Sequence, residues 1–305
     1  MVESRWLVFQ TRKIGAKHYY EYLPDLTHRC GDIWSGLPTY GLLGSAPCRG
    51  LVITPACDLA NRKAETIIYL PIIPLRAYFG TTGALPETRD RITGLLRAGK
   101  FDPSIDWAPG RYRPPTIAEL DRAEAAIVGH LAAKQRGEKE ITALTRAKAG
   151  LSILRIIAKG QVEQPEAEHL RVFFGSDWEE LKSKIVSNSF RTDLHFLPKD
   201  EQAGGFMGLA AHSVALFRYP LTAPIEVLDL AQNTPENSWK IACSSLGQAY
   251  PMAAGFNAER PIKVLSLKSE FLADLLSRYC GVYSRLGSPD FTPRSITRMA
   301  EEVDA

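Results

Sequence analysis

The spacing of apolar positions changes character twice along the chain. From Trp6 to about Phe79 they come in short runs broken by turn residues. "GDIW" at 31–34 starts a short strand, and "RGLVIT" at 49–54 and "ETIIYLPII" at 65–73 read as two more. Val52, Ile53, Ile67, Ile68 and Tyr69 are β-branched or aromatic and suit a pleated surface. Gly41, Gly44 and Pro47 punctuate the connection between the first two strands. Pro71 and Pro74 are expected to end the third run or to hold it at a sheet edge.

From about Pro86 to Asn188 the spacing becomes helical. Ile117, Leu120, Ala123, Ile127 and Leu131 form one stripe behind a Pro115-Thr116 start. Ile141, Leu144, Ala147, Leu151, Leu154 and Ile157 form another, stopping at Gly160, and a turn at Gly137 predicts an antiparallel helical hairpin. "SDWEELKSKIVSN" predicts a shorter helix with Ser176 as N-cap and acids in its first turn. The Gly- and Pro-bearing stretch from Thr81 to Pro115 reads as a domain boundary or exposed loop.

The last third mixes both periods. "RTDLHFLP" at 191–198 alternates Leu194 and Phe196 against His195, as a half-buried strand would. "HSVALFRYP" and "PIEVLDLA" read as further strands. A helix from about Leu267 to Leu286 carries Leu267, Phe271, Leu275, Tyr279 and Val282 on one stripe, with Gly287 and Pro289 as its stop. "PRSITRMAEEV" predicts a last short helix. The pattern predicts an α+β protein in three segments: a β-rich 1–85, a helical 86–190 and a mixed 191–305.

Composition narrows the class. The 305 residues are 45% hydrophobic and 23% charged, which fits a globular protein and not disorder. No apolar run reaches a membrane span, and "MVESRWLVFQTRK" does not read as a secretory signal, so the expected location is the cytoplasm, with no membrane partner. The five cysteines are odd in number and irregular in spacing, which argues against a disulfide framework. His28, Cys30, Cys48 and Cys57 match no standard zinc spacing, and neither a metal nor a cofactor is expected.

A net charge of +3 is weak over the whole surface, but its distribution is uneven. Between Pro86 and Gly160 fourteen Lys and Arg stand against nine Asp and Glu, a surplus of five. The "PGRYRPP" stretch sets Tyr112 between Arg111 and Arg113, a grouping that suits base stacking and phosphate contact; a solvated helix face accounts for the same charges.

Chemistry concentrates in "RGLVITPACDLANRK". Arg49 opens a strand, and the exit turn carries Cys57, Asp58 and Asn61. A thiol at a strand end can act as a nucleophile if a base or a positive field makes it a thiolate. Its neighbour Asp58 opposes that, and a partner would have to come from His28, His195 or His212. Equally, Cys57 is a small packed residue and Asp58 an Asx-turn former, bonded to Arg49 or to backbone N–H groups of its own loop.

Gly31 to Pro71 resembles the core of the PemK/MazF toxin family. The matching features are Gly31-Asp32-Ile33-Trp34, a glycine-rich loop from Gly36 to Gly44, "RGLVIT" at Arg49, Asn61, and "TIIYLPI" from Thr66. The resemblance implies an N-terminal SH3-like barrel, followed by a helix-rich insertion and a C-terminal α/β region. It also implies endoribonuclease ancestry, with Arg49 stabilising charge on a scissile phosphate. At the position where those toxins carry a hydroxyl, this chain has Ile73. The chain also resembles a bacterial family that pairs a T-x-x-CD loop, here Thr54 to Asp58, with a C-terminal R-x-G-x-P, here Arg285 to Pro289, and that sits among mobile and defence genes. The resulting expectation is a defence- or toxin–antitoxin-related module that binds or acts on RNA or DNA. Arg49, Cys57 and Asp58 are its candidate catalytic residues, Asn61 a structural loop residue, and Arg111, Tyr112 and Arg113 its nucleic-acid contacts. Two alternatives stand beside it: a non-catalytic interaction or sensor subunit with a protein partner from the same operon, and a cysteine-nucleophile hydrolase.

Overall fold

The structure is a computed structural model and describes residues 19–22, 26–101, 110–132, 137–200, 208–284 and 292. It begins with strands β1 (Tyr20–Glu21), β2 (Asp32–Leu37) and β3 (Cys48–Val52), a short helix α1 (Ala56–Ala60) and the long strand β4 (Thr66–Pro74). Six helices follow: α2 (Leu75–Tyr78), α3 (Leu85–Ala98), α4 (Ile117–Ala132), α5 (Glu138–Lys159), α6 (Ala167–Phe174) and α7 (Asp177–Val186). The last stretch holds β5 (Leu194–Leu197), β6 (Ser213–Leu216), β7 (Leu221–Pro224), α8 (Ile225–Asn233), α9 (Trp239–Leu246), β8 (Ile262–Leu267) and α10 (Ser269–Tyr283).

All eight strands join one antiparallel sheet in the order β1-β8-β2-β3-β4-β6-β5, with β7 also paired to β4. The fold is therefore α+β. Among the described residues β1 and β5 are the ends of the sheet and do not pair, so the sheet is open and not the closed barrel implied for the first third. Strands from 1–85 and from 191–305 are interleaved in it, and β8 lies between β1 and β2.

β4 is a central strand, not the edge that its prolines suggested. Ile53 N–H bonds the Ile68 carbonyl, and in the β3–β4 register Gly50 opposes Pro71. Ladder bonds alternate along such a pair, so the nitrogen of Pro71 faces away from β3. On that far side Tyr69 pairs with Leu221 of β7 and Ile72 with Ala215 of β6. Pro71 falls at the changeover, where a missing N–H breaks no ladder.

Alternate residues of the central strands feed opposite faces, as a period of two requires. Ile33, Leu51, Leu70 and Ile72 pack with Leu275 and the stripe of α10. Trp34, Val52, Ile67 and Tyr69 pack with Val227 and Leu228 of α8 and Trp239 of α9. Ile73, Val214 and Leu216 join a third core made by α3 to α7. Cover on both faces explains why β4 is apolar nearly throughout. Gly50 is fixed by this packing: a Cβ there would lie 2.6 Å from both Leu37 and Tyr69 side-chain carbons. Asp32 of "GDIW" is fully buried, where Lys263 holds it at 2.9 Å and the Ser266 hydroxyl donates to it. A buried carboxylate of this kind needs such partners.

Several elements differ from the sequence reading. "PIEVLDLA" is helix α8 after Pro224, and its buried Val227, Leu228 and Ala231 follow helical spacing. The Thr81–Pro115 stretch is not a loop throughout, because α3 buries Leu85, Ile92 and Leu96 there. The C-terminal helix starts at Ser269, since Leu267 ends β8. His195, expected on the solvent side of its strand, is wholly buried, facing Tyr19 and Phe217. Ser176 holds the N-cap position of α7 but makes no capping bond to the backbone. The Arg285–Pro289 motif and the "PRSITRMAEEV" helix lie outside the described residues.

Candidate functional site

β2 ends, β3 begins and β4 ends at one rim of the sheet. Between these strand ends lies a cleft of about 380 Å³ whose lining includes Ser35, Thr39, Cys48, Arg49, Ile73 and Glu259. The glycine-bearing stretch at the end of β2 and just after it forms a wall of the cleft and needs glycine to fit. Gly36 has φ +73°, with its Cβ position 3.0 Å from the Arg260 carbonyl oxygen. Gly44 has φ +90°, and a Cβ there would lie 3.1 Å from the carbonyl oxygen of Gly160, the left-handed residue that ends α5. The Thr39 hydroxyl closes the loop by donating to the Gly44 carbonyl at 2.7 Å.

Arg49 is the half-buried cation of this cleft. Its Nε–H is buried and has no hydrogen-bond partner among the described residues. Burial lowers its pKa and the charge of Glu259 opposes that shift, yet a guanidinium remains protonated at neutral pH. An unpaired buried donor is costly, and more so on a charged group. The rest of the lining is poor in reactive groups. Burial pushes the Cys48 thiol up to about 12, which keeps it protonated. Thr39 is committed to Gly44, and Ile73 carries no hydroxyl.

The other predicted site residues lie elsewhere. Cys57, Asp58 and Asn61 follow the far end of β3, on and just after α1. Cys57 is exposed, and its Sγ lies 3.6 Å from Asp58 Oδ1. Among the described residues no hydrogen bond or ion pair joins Arg49 to Asp58, and the Asp58 carboxylate accepts no backbone N–H. Asn61 donates its side-chain amide to the Cys57 carbonyl at 2.7 Å and closes α1. The histidines are engaged apart from the thiol: His28 with Asp229, His195 with Tyr19, and His212 with the Lys199 N–H.

Arg111, Tyr112 and Arg113 form an exposed turn after Gly110, and Tyr112 is 54% exposed. Much of the basic surplus around the helical hairpin is internally paired. Arg155 bonds Asp121 and Glu124 at 2.7 Å each, Lys148 meets Glu124 at 3.4 Å and Lys100 meets Glu140 at 2.7 Å. Arg91 and Arg146 both donate to the Phe173 and Phe174 carbonyls at the C-terminus of α6.

Sequence reasoning missed Glu259 and Ser35 as neighbours of Arg49. Glu259 arrives from a turn before β8, and no local pattern ties it to residue 49. No family model, curated protein or solved structure matches this chain.

Proposed function

We propose that this chain is a nucleic-acid-binding module of a bacterial defence or toxin system, with the Arg49 cleft seating a backbone phosphate. The observation that carries the reading is Arg49 itself, a half-buried cation among the residues that line an open cleft. The PemK/MazF resemblance supports it, since the two positions it pairs, Arg49 and Ile73, line that cleft together. Binding without cleavage is the proposed mode. With Ile73 in place of a hydroxyl and Cys48 held as a thiol, the cleft offers Arg49 for charge, while its Ser35 and Thr39 hydroxyls are turned to backbone carbonyls. Cys57 and Asp58, at the other end of β3, are assigned no step. The exposed Arg111–Tyr112–Arg113 turn adds two cations and a ring on which a base can stack.

Fluorescence anisotropy with labelled single-stranded RNA and DNA, titrated at increasing salt, tests this. Each phosphate contact contributes about −0.7 to the log–log salt slope for single strands, so Arg49→Ala should make the slope shallower by about that amount. Arg49→Lys should restore charge but not the forked contact, and recover binding only in part. Tyr112→Ala should cost about 1–3 kcal/mol if the ring stacks on a base. Absence of saturable binding at low salt, with the protein folded, would discard the reading. The protein-interaction alternative would then stand, and the internal pairing of the hairpin's basic residues already favours it.

A further inference from the structure

The cleft that carries Arg49 also carries an opposite charge. Glu259 lines it from an exposed position, and its charge is felt at Arg49, where it opposes the effect of burial. Among the described residues the two form no ion pair, and the Glu259 side chain makes no hydrogen bond.

Glu259 sits on a turn that is held from several sides. The next residue, Arg260, donates to Glu236 at 2.8 Å, to the Ala231 carbonyl at 2.8 Å and to the Thr234 carbonyl at 3.2 Å, at the C-terminal end of α8. Its own carbonyl oxygen lies against Gly36, 3.0 Å from where a Cβ would stand. Ile262 then enters β8 opposite Ser35 of β2. Folding has already ordered this turn, so a guest that donates to Glu259 need not order it.

A carboxylate beside a seated phosphate discriminates among bases. An ionised carboxylate only accepts, and its two oxygens take a pair of parallel N–H bonds. Of the common bases, guanine sets two donors side by side on its Watson–Crick edge, N1–H and the N2 amino group. Adenine and cytosine set one amino group beside a ring-nitrogen lone pair. Uracil and thymine set one N–H between two carbonyl oxygens. Each of these turns at least one lone pair toward the carboxylate. Leu43, Pro47 and Val162 add apolar lining against which a base can lie. We infer that Glu259 selects guanine, in single strands whose bases are free to present that edge. The inference rests on the seating of a phosphate by Arg49, and adds a base preference that phosphate contact alone does not give.

Fluorescence anisotropy of the full chain at low salt, with the labelled RNA pentamers UUGUU, UUAUU, UUCUU and UUUUU, tests it. UUGUU should bind about tenfold or more tighter than the others, the discrimination of one bidentate pair. UUIUU, whose inosine lacks the N2 amino group, should fall most of the way to UUUUU. Glu259→Ala, at an exposed position, should bring UUGUU down to the level of the rest. The same variant should tighten UUUUU, because it removes a negative charge that faces the backbone. Equal affinity for the four pentamers, or a guanine preference that survives Glu259→Ala, would overturn the assignment and leave the phosphate reading in place. No saturable binding of any pentamer, with the protein folded, would remove the phosphate reading and this inference together.

Discussion

His195 shows what a single residue can hide. It lies on β5 with no exposed surface, its Nε2 3.2 Å from the Tyr19 hydroxyl and its Nδ1 buried without a partner among the described residues. Burial brings its pKa down from 6.5 to about 4, with Asp274 of α10 opposing the shift and Arg278 adding to it. The unfolded chain therefore takes up this proton at a higher pH than the folded one. Stability should be fully present above about 6.5 and fall as pH drops toward 4, by about 3 kcal/mol in all at that shift. Urea unfolding across this window, in wild type and in His195→Gln, measures it. The variant should lose most of the slope, and an unchanged slope would place the titration elsewhere. Asp193 does not confuse the window. Burial alone would raise its carboxyl, but Arg191 and Arg218 outweigh burial and hold it below 3.8. The strand that carries Arg49 was legible in the sequence because "RGLVIT" is a local apolar run that follows a turn residue. The burial of His195 was not, because the residues that cover it come from Tyr19 and Phe217, distant in sequence.

Elements with local start and stop signals were the readable ones. α5 ends at a left-handed Gly160, where its stripe had ended. α4 begins with a reciprocal box: Glu119 N–H donates to the Thr116 hydroxyl oxygen at 3.3 Å, and the Thr116 N–H donates to the Glu119 carboxylate at 2.6 Å. These bonds hold the Glu119 carboxyl below its usual range. Thr116→Ala should cost about 1 kcal/mol of stability, read as a shift in the denaturant midpoint with the slope unchanged. α8 was misread because a short apolar run of branched residues satisfies either period, and only its packing against the sheet decides. β7 and β8 escaped notice for a related reason. Four and six residues become strands here because β4 and β2 offer open edges to pair with. α6 has its own device, since its C-terminal carbonyls are gathered by two arginines from α3 and α5. The favourable match of cation to helix C-terminus is physical, but nothing in "AEHLRVFF" announces it.

At the scale of the whole molecule, no helix among the described residues is long and apolar enough to cross a membrane. The sheet draws its strands from both ends of the described chain, which makes a test of autonomy direct. A fragment of residues 1–85 lacks β8 for the edge of β2 and lacks β6 and β7 for the edge of β4. It should show no cooperative unfolding by circular dichroism and should associate through those edges in sedimentation. A dispersed, cooperatively folding fragment would mean that the first third closes on itself, as the toxin resemblance implies. The same strand order has a consequence in time. A ribosome adding roughly 5–20 residues per second reaches β8 roughly 10–50 s after β2, since about 230 residues separate Asp32 from Ile262. Throughout that interval the edge of β2 that β8 will cover has no partner, although β2, β3 and β4 can already pair with one another. Whatever shields the β2 edge on the growing chain before its last strand emerges therefore bears on yield in a cell alongside the stability of the finished fold.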